Sequence, residues 1–592
     1  MFTTISSVDE CTRQGADNTA YIDDEPTRPD PTEKPTVFCA SSADLVRRNT
    51  AECVGPLKRS WDRTKVIVTL SILGTEMCER LAFYSVSANM VLFGTSTLGL
   101  DTVDATSISL AFSALANLFP VVGGYISDSW LGRFRTILFS GILNVVAMLL
   151  IQCAAIDFHD WFEKDLTQVG KRVVYLVGLF LLTVGTGGIK ANISPFGAEQ
   201  LDSLGKEAVQ SFFNWFYWVI NIGALVAYAG VAYLQQNVSF TWGLFLPLVV
   251  TLLQIILFVL PRNMYTRTRP AGSVLVVALK ILRQGCCHRP PHPDPKLPEG
   301  SERKLLARAK TSFGGSFNDV TVEGLADVIS VLPFCLLVIM YYAIYSQTTS
   351  SFFVQSERLD VRLGSINVPA AMLNTIGNIS IIILIPVIDR LFYPCMKKIG
   401  LPLTYLKRIG AGMILSVVAV VVAGVVEIYR KDVMNQPGGS HVQVLANENF
   451  TASSMSVFVQ VPQFAIVGAS EIFTSVTCLE FAYTQAPTSL QGLLTGLFLA
   501  AWGIGNLVSM AILLVVERAT ILDPWYGDEI NHVKMENLMF LLGGLMAANF
   551  VIFCGVALRF NYKETAPNLN SAENKDKIEH QTEGTIHKPL EL

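Results

Sequence analysis

The chain has 592 residues, of which 51% are hydrophobic and only 16% charged, and its mean hydropathy is +0.44. A water-exposed surface on a chain of this size could hardly tolerate that balance, so the expected solvent is a membrane. The formal charge of -4 averages acidic tails over basic loops and gives no reason to expect a nucleic-acid partner, and eleven cysteines without regular spacing argue against a disulfide framework.

Apolar windows near the ~20 residues needed to cross a bilayer recur about twelve times, at about 66–93, 105–127, 135–155, 173–194, 211–234, 240–260, 325–347, 367–388, 408–428, 456–479, 491–515 and 537–558. They fall into two groups of six, residues 65–260 and 325–558, separated by a polar central loop, 261–324. Polar tails, 1–64 and 559–592, flank them, are expected to be disordered, and carry nothing like a cleavable signal peptide. The expected fold is an all-α membrane protein in the major-facilitator arrangement, two six-helix bundles with substrate held near the midplane between them. Hydropathy by itself leaves other twelve-span folds open.

Loop charge sets the expected orientation. "DSWLGRFRT" (Asp128 to Thr136), the central loop and "RLFYPCMKKIGLPLTYLKR" are rich in Lys and Arg, whereas "FGTSTLGLDTVDAT" has none. The positive-inside rule then puts both termini in the cytoplasm. The sequons at Asn237 and Asn449 fall outside, where N-glycosylation is physically allowed, and Asn449 is favoured by its longer loop. In the central loop, Cys286-Cys287-His288 and His292 follow the amphipathic run "SVLVVALKILRQ". This cluster is open to three readings, a plain juxtamembrane loop, S-palmitoylation or zinc.

Within the spans, "GTEMCERLAFYSV" places Glu76, Glu79 and Arg80 in the first apolar stretch. An ionised side chain at a helix centre costs about 2.5 to 3.5 kcal/mol on insertion scales, so the three need mutual compensation. Positions three and four apart share a helix face, which sets Glu76 beside both Glu79 and Arg80. Two acids sharing one cation leave room for a proton, and one of them is expected to titrate as its access to water changes; a static polar lock between helices is the alternative. Lys190 ends the small-residue run "VGTGGIK" in the fourth span, and Glu471 sits in "VGASEIF" in the tenth. A pair between them would bridge the halves and favour one gate state, unless Lys190 snorkels to the interface. No metal-ligand cluster, phosphate loop or nucleophile arrangement supports an enzyme.

"EMCER", "DSWLGRFRT", "GGIKANISPFG", "FFNWFYWVINIGALV" and "EIFTSVTCLEFAYTQAP", in this order and in these spans, together resemble the proton-coupled oligopeptide transporter family, over about residues 66 to 558. "FNWFYWVINIGA" and "AYLQQNVSF" look most like its peptide/histidine transporter branch. The resemblance implies a proton-coupled symporter of histidine, dipeptides and tripeptides that works by alternating access, with protons as the coupling ion and no other cofactor. It implies proton-coupling roles for Glu76, Glu79, Arg80, Lys190 and Glu471, and substrate contacts from Arg80, Tyr84, Lys190, Tyr217, Asn221 and Glu471. A zwitterionic substrate suits cations on one half and an acid on the other, within a cavity that Tyr342, Asn374, Phe498 and Trp502 could also line.

Departures from the family pattern bear on the cargo. Ser87 stands where peptide-transporting members often carry an arginine, Leu110 and Asn117 occupy second-span histidine and tyrosine positions, and Tyr342 and Phe498 replace tryptophans. All seven histidines fall in loops or tails, so carboxylates are expected to carry coupling. Relatives in the superfamily that move nitrate or other small solutes keep another cargo open, and a membrane nutrient sensor or scaffold with little flux, acting on cytoplasmic adaptor proteins, is a further alternative. The branch resemblance favours an endolysosomal membrane over the plasma membrane. No sorting signal supports it: Glu302 with Leu305 and Leu306 lacks the spacing of an acidic dileucine.

Overall fold

The computed structural model describes residues 62–560, apart from 157–166, 269, 271, 288–305, 365, 401–402, 447, 486–489 and 528. Apart from 62–64 and 559–560, the expected tails lie outside the described residues, as do His288, His292, Glu302 and Leu305.

The first helix, α1 (Arg63–Ala88), starts where the Asp62 side chain accepts the Arg63 N–H. It ends at Asn89, whose amide turns away to the carbonyl of Ala232 and the side chain of Gln235, at 3.0 and 3.1 Å. The apolar window expected to run unbroken to Phe93 is therefore split, and a short helix, Met90–Ser96, follows. The N-terminal half continues with α2 (Thr102–Ile126), α3 (Arg133–Ala155), α4 (Gln168–Leu201), α5 (Lys206–Leu225) and α6 (Phe240–Val259). The C-terminal half holds α7 (Asp319–Tyr345), α8 (Leu373–Val387), α9 (Tyr405–Met434), α10 (Val461–Glu471), α11 (Gln491–Ala519) and α12 (Met535–Arg559).

Among the described residues, eleven helices are long and apolar enough to cross a membrane. The remaining member of the twelve, α1, matches them in length but carries Glu76, Glu79 and Arg80 at its centre. Several helices outrun their apolar windows: α4 has 34 residues, because Thr167 caps it at Gly170 N and it passes Lys190 before ending at Leu201. Hydropathy reads the part of a helix in hydrocarbon, whereas capping and backbone hydrogen bonding decide where it stops.

The run "VGTGGIK" is a packing device. A Cβ on Gly123 of α2 would lie 2.7 Å from the Gly188 Cα of α4, and one on Gly187 of α4 would lie 2.5 Å from the Phe119 Cβ of α2, so the two helices come this close only because Gly123 and Gly187 are glycine. Among the described residues four helices widen into π-type turns, α2 into Ser127–Leu131, α5 into Val226–Val231, α8 into Ile388–Phe392 and α10 into Ile472–Val476. Such turns often mark functional positions. In the central loop, Val274–Cys287 forms a helix whose Ala278 and Ile281 are buried, while Cys286 is exposed.

The stretch around Asn449, expected as a long loop, holds a hairpin, β1 (Ser440–Leu445) and β2 (Glu448–Ser453). At the hairpin end of the bundle the two halves are joined. Gln236 O accepts from Ala446 N (2.9 Å), Gln236 Oε1 from Ala370 N (3.2 Å), and Thr106 meets the Tyr526 hydroxyl at 3.1 Å. Asn237 donates to Asn367 O at 3.3 Å, so its amide is engaged, whereas Asn449 is exposed on β2.

Beyond the span Asp319–Ser356, Glu357 is 4% exposed and its Oε1 has no hydrogen-bond partner among the described residues. Arg358 Nη1 lies 3.8 Å from the other oxygen, Oε2, but this guanidinium is committed to Glu529 at 3.0 Å and to the Phe450 ring at 4.2 Å. Burial pushes the Glu357 carboxyl from its ordinary 4.5 up to about 7, with Arg358 pulling down and Glu529 pushing up. A value raised by folding means that the protonated form stabilises the fold. That contribution is complete below about 4.5, shrinks as pH rises, and is lost above about 7. Glu357→Gln is therefore expected to flatten the fall in melting temperature of the detergent-purified protein between about pH 5 and pH 8. An unchanged slope would remove Glu357 as the titrating group.

Candidate functional site

Between the halves lies an open cavity, with about 1030 Å³ of non-protein space counted out into solvent. Its walls come from α1, α2, α4 and the widened part of α5 on one side, and from α7, α8, α10 and α11 on the other.

On α1 the Glu76–Arg80 pair is the one that i,i+4 spacing predicts, whereas Arg80 also reaches its chain neighbour Glu79, which spacing on one face does not predict. Arg80 Nε lies 3.2 Å from Glu76 Oε1, and Arg80 Nη2 pairs with Glu79 Oε2. All three residues are buried, at 3% exposure for Glu76, 1% for Glu79 and 4% for Arg80. Only Arg80 lines the cavity, so the two carboxylates sit behind it. Glu76 Oε2 and Glu79 Oε1 have no hydrogen-bond partner among the described residues, which leaves acceptor capacity for a proton. Tight cover for the cluster comes from α5, where a Cβ on Gly223 would lie 2.9 Å from Met77 O and 3.3 Å from Arg80 Cβ.

Lys190 faces the cavity and does not snorkel. Its ammonium donates to Asn117 Oδ1 at 2.7 Å and stands 5.8 Å from the centroid of the Trp502 ring. Glu471 lines the opposite wall and shares a hydrogen bond with Tyr345. The expected Lys190–Glu471 ion pair is thus not made in this conformation. Each partner is held by a neutral neighbour instead, leaving cations on one half and an acid on the other across open space. The widening at Ile472–Val476 begins directly after Glu471 and sets its side chain at a change of helical pitch.

Among the other residues expected at the site, Tyr84, Asn374 and Trp502 line the cavity. Tyr217, Asn221, Tyr342 and Phe498 do not. Asn221 folds back onto Tyr217 O at 2.8 Å within α5. Tyr342 is 5% exposed and lies flat behind Trp502, with ring centroids 5.4 Å apart and planes 4° from parallel. Phe498 is buried to the same degree. One helical turn on from Tyr342, Tyr345 takes the place expected of it.

The residues that escaped notice are small and polar. Ser109, Ser113 and Asn117 on α2, Asn378 one turn after Asn374 on α8, and Asn506 one turn after Trp502 on α11 all line the cavity. Each set repeats every four residues in an otherwise apolar helix. A polar stripe at helical spacing inside a span is a sequence signal for a hydrated wall, and weighing only charges and aromatics passes over it. Ser87 also lines the cavity, so the arginine missing there leaves space on the α1 wall.

Comparison with known proteins agrees with this architecture. The sequence profile PTR2, described as the POT family, matches residues 134–530. Protein NRT1/PTR family 8.2 of Arabidopsis thaliana is 30% identical over 539 residues, covering 83% of this chain and 93% of that protein. Solute carrier family 15 member 3 of Mus musculus is 29% identical over 550 residues, covering 86% and 93%. Among solved structures, an auto-inhibited POT family peptide transporter has a TM-score of 0.70 at 22% identity, covering 84% of this chain and 98% of its own. The POT family transporter PepTSo has a TM-score of 0.69 at 22% identity, covering 85% and 100%. These likenesses establish the fold as the two-bundle transporter arrangement.

Arg80→Leu would leave two buried carboxylates facing each other with no shared cation. The expected loss is about 3 to 5 kcal/mol, read as a lower melting temperature of the purified protein. Adding Glu79→Gln to Arg80→Leu is expected to recover part of that loss. Additive losses would show that the three side chains are not one electrostatic unit.

Proposed function

The chain belongs to the POT family of membrane transporters, not enzymes, and on that premise we propose that it is a proton-driven symporter of histidine and of dipeptides and tripeptides. The observation that carries this reading is the division of charge across the cavity, with Arg80 and Lys190 on one half and Glu471 on the other. A zwitterion fits that division. Its carboxylate meets Arg80 and Lys190, its ammonium meets Glu471, and both halves are thereby tied to one ligand. Side-chain contacts fall to Tyr84, Asn374, Trp502 and the amide and hydroxyl stripes, a lining that accepts many side chains.

Protons enter through Glu76 and Glu79. With both carboxylates ionised, Arg80 is held by them. Protonation of one loosens that hold and frees a guanidinium face for the substrate carboxylate, so that proton and substrate binding favour each other. Lys190 exchanges Asn117 for the substrate or for Glu471 as the halves rock about the midplane site. Nothing but the proton is needed as a coupling species. We place the protein in an endolysosomal membrane with both termini cytoplasmic, as its resemblance to the peptide/histidine branch and the basic loops suggest.

In liposomes holding the purified full chain, an inward proton gradient is expected to drive uptake of labelled histidine, competed by dipeptides and tripeptides. Glu79→Gln is expected to reduce gradient-driven uptake by at least roughly tenfold, while exchange of labelled for unlabelled substrate without a gradient persists. Uptake untouched by that change would overturn the coupling role. Binding without flux would favour the sensor reading, and flux of a solute that histidine and peptides do not compete with would replace the cargo.

A further inference from the structure

Two adjoining cavities on the outer wall of the N-terminal half lie outside the transport site. One, of about 750 Å³, is formed by the turn after α2 (Trp130, Leu131), the first turn of α3 (Arg133, Phe134, Arg135), Phe196 of α4, and the chain after α6 (Arg267, Thr268, Pro270). The other, of about 740 Å³, runs along α2, α3 and α4 between Phe119, Val122, Ile126, Phe139, Leu143 and Val184. Leu131 lines both, so a basic recess and an apolar length adjoin at that side chain and together make the groove.

The charges at the basic end are unevenly committed. Arg133 is paired with Glu199, which Thr268 also holds at 3.2 Å, and Asp128 faces Arg133 as well. Arg135 is exposed and has no acidic partner among the described residues. Arg267 lies 4.0 Å from the centroid of the Phe134 ring and donates to Arg262 O at 2.7 Å, again with no acid among the described residues. Two guanidinium groups therefore face the groove without a counter-charge. The strap that carries Arg267 is anchored, since Gly272 N donates to Asp128 O at 3.0 Å.

The apolar length is open to the bilayer. Val122 is 48% exposed and Phe139 57%, and Trp130 stands at the mouth, 68% exposed. From Leu131 to Phe119 the groove spans about 18 Å by helical rise, close to the ~15 Å depth of one leaflet. Indole rings favour the level of the headgroups, so Trp130 marks where the apolar length ends and the arginines begin. Water has no use for such an apolar length, and a soluble anion would use only the basic end.

We propose that this groove is a binding site for an acidic diacyl phospholipid, its phosphate on Arg135 and Arg267 and one acyl chain along α2, α3 and α4. The lipid bridges the α2–α3 turn to the strap leaving α6. It thereby ties the N-terminal half to the start of the central loop at a place that transport chemistry does not use. Each arginine near an anionic headgroup contributes roughly 1 kcal/mol, so removing both is expected to weaken retention by at least on the order of tenfold.

Native mass spectrometry of the full chain, released from micelles doped with equal phosphatidylglycerol and phosphatidylcholine, tests this directly. The expected result is selective retention of phosphatidylglycerol, lost in Arg135→Ala/Arg267→Ala and reduced in Val122→Trp, which fills the apolar length without touching either cation. Lys397→Ala, an exposed cation elsewhere, is expected to leave retention unchanged. Melting curves check that each variant is folded. Equal retention of both lipids, unchanged retention in the double arginine variant, or displacement by millimolar inorganic phosphate would overturn the proposal.

Discussion

One guanidinium shared by two carboxylates in a single turn of a membrane helix sets the terms for this protein. Three ionisable groups at the centre of α1 would oppose insertion if they faced lipid, so the helices around them must both bury them and grant them an outlet. Burial comes from α5, which approaches α1 closely at Gly223. The outlet is the cavity, which Arg80 reaches while Glu76 and Glu79 stay behind it. A rearrangement that moves Arg80 therefore changes the environment of both acids without moving them. In the coupling proposed above, this links the protons to the shape of a site that they need not enter.

The partners across the cavity extend the same logic. Lys190 leans on Asn117 and Glu471 on Tyr345, both neutral. Neutral partners satisfy hydrogen bonding without cancelling charge, so the cavity keeps an electrostatic asymmetry between its halves. An ion pair formed permanently across that space would close it and would have to be broken before any charged substrate could enter. The Asn117 amide oxygen is a full acceptor for the Lys190 ammonium.

Much of this arrangement was legible in the residues. Twelve apolar windows, their division about residues 261–324, and the helical spacing of Glu76, Glu79 and Arg80 predicted the bundle and the α1 cluster. Five ordered motifs pointed to the family that the POT profile identifies. What escaped depends on direction and distance more than on residue type. Tyr342 and Tyr345 differ by one turn and both are aromatic, yet only the second reaches the cavity, because Trp502 lies flat against the first. Tyr217 and Asn221 sit on the right helix, but Asn221 folds back on its own backbone. The hairpin β1–β2 was missed because it lies outside the hydrocarbon, where hydropathy carries no signal. Its strands alternate exposed Val442 and Val444 with buried Gln443 and Leu445, a period of two whose inner face includes a polar residue.

The closed hairpin end carries one last implication. Its cross-half bonds among the described residues join amides, carbonyls and hydroxyls, through Gln236, Asn237, Thr106 and Tyr526, without an ion pair. Neutral bonds of this kind are worth only about 0.5 to 1.5 kcal/mol each once water competes for the same groups. Parting the halves there exchanges them for bonds to solvent, at a cost of about 2 to 6 kcal/mol for four such bonds and with little dependence on ionic strength. A seal of that strength holds the closed position without locking it. A driving force of a few kcal/mol arriving from elsewhere in the molecule is then enough to part it.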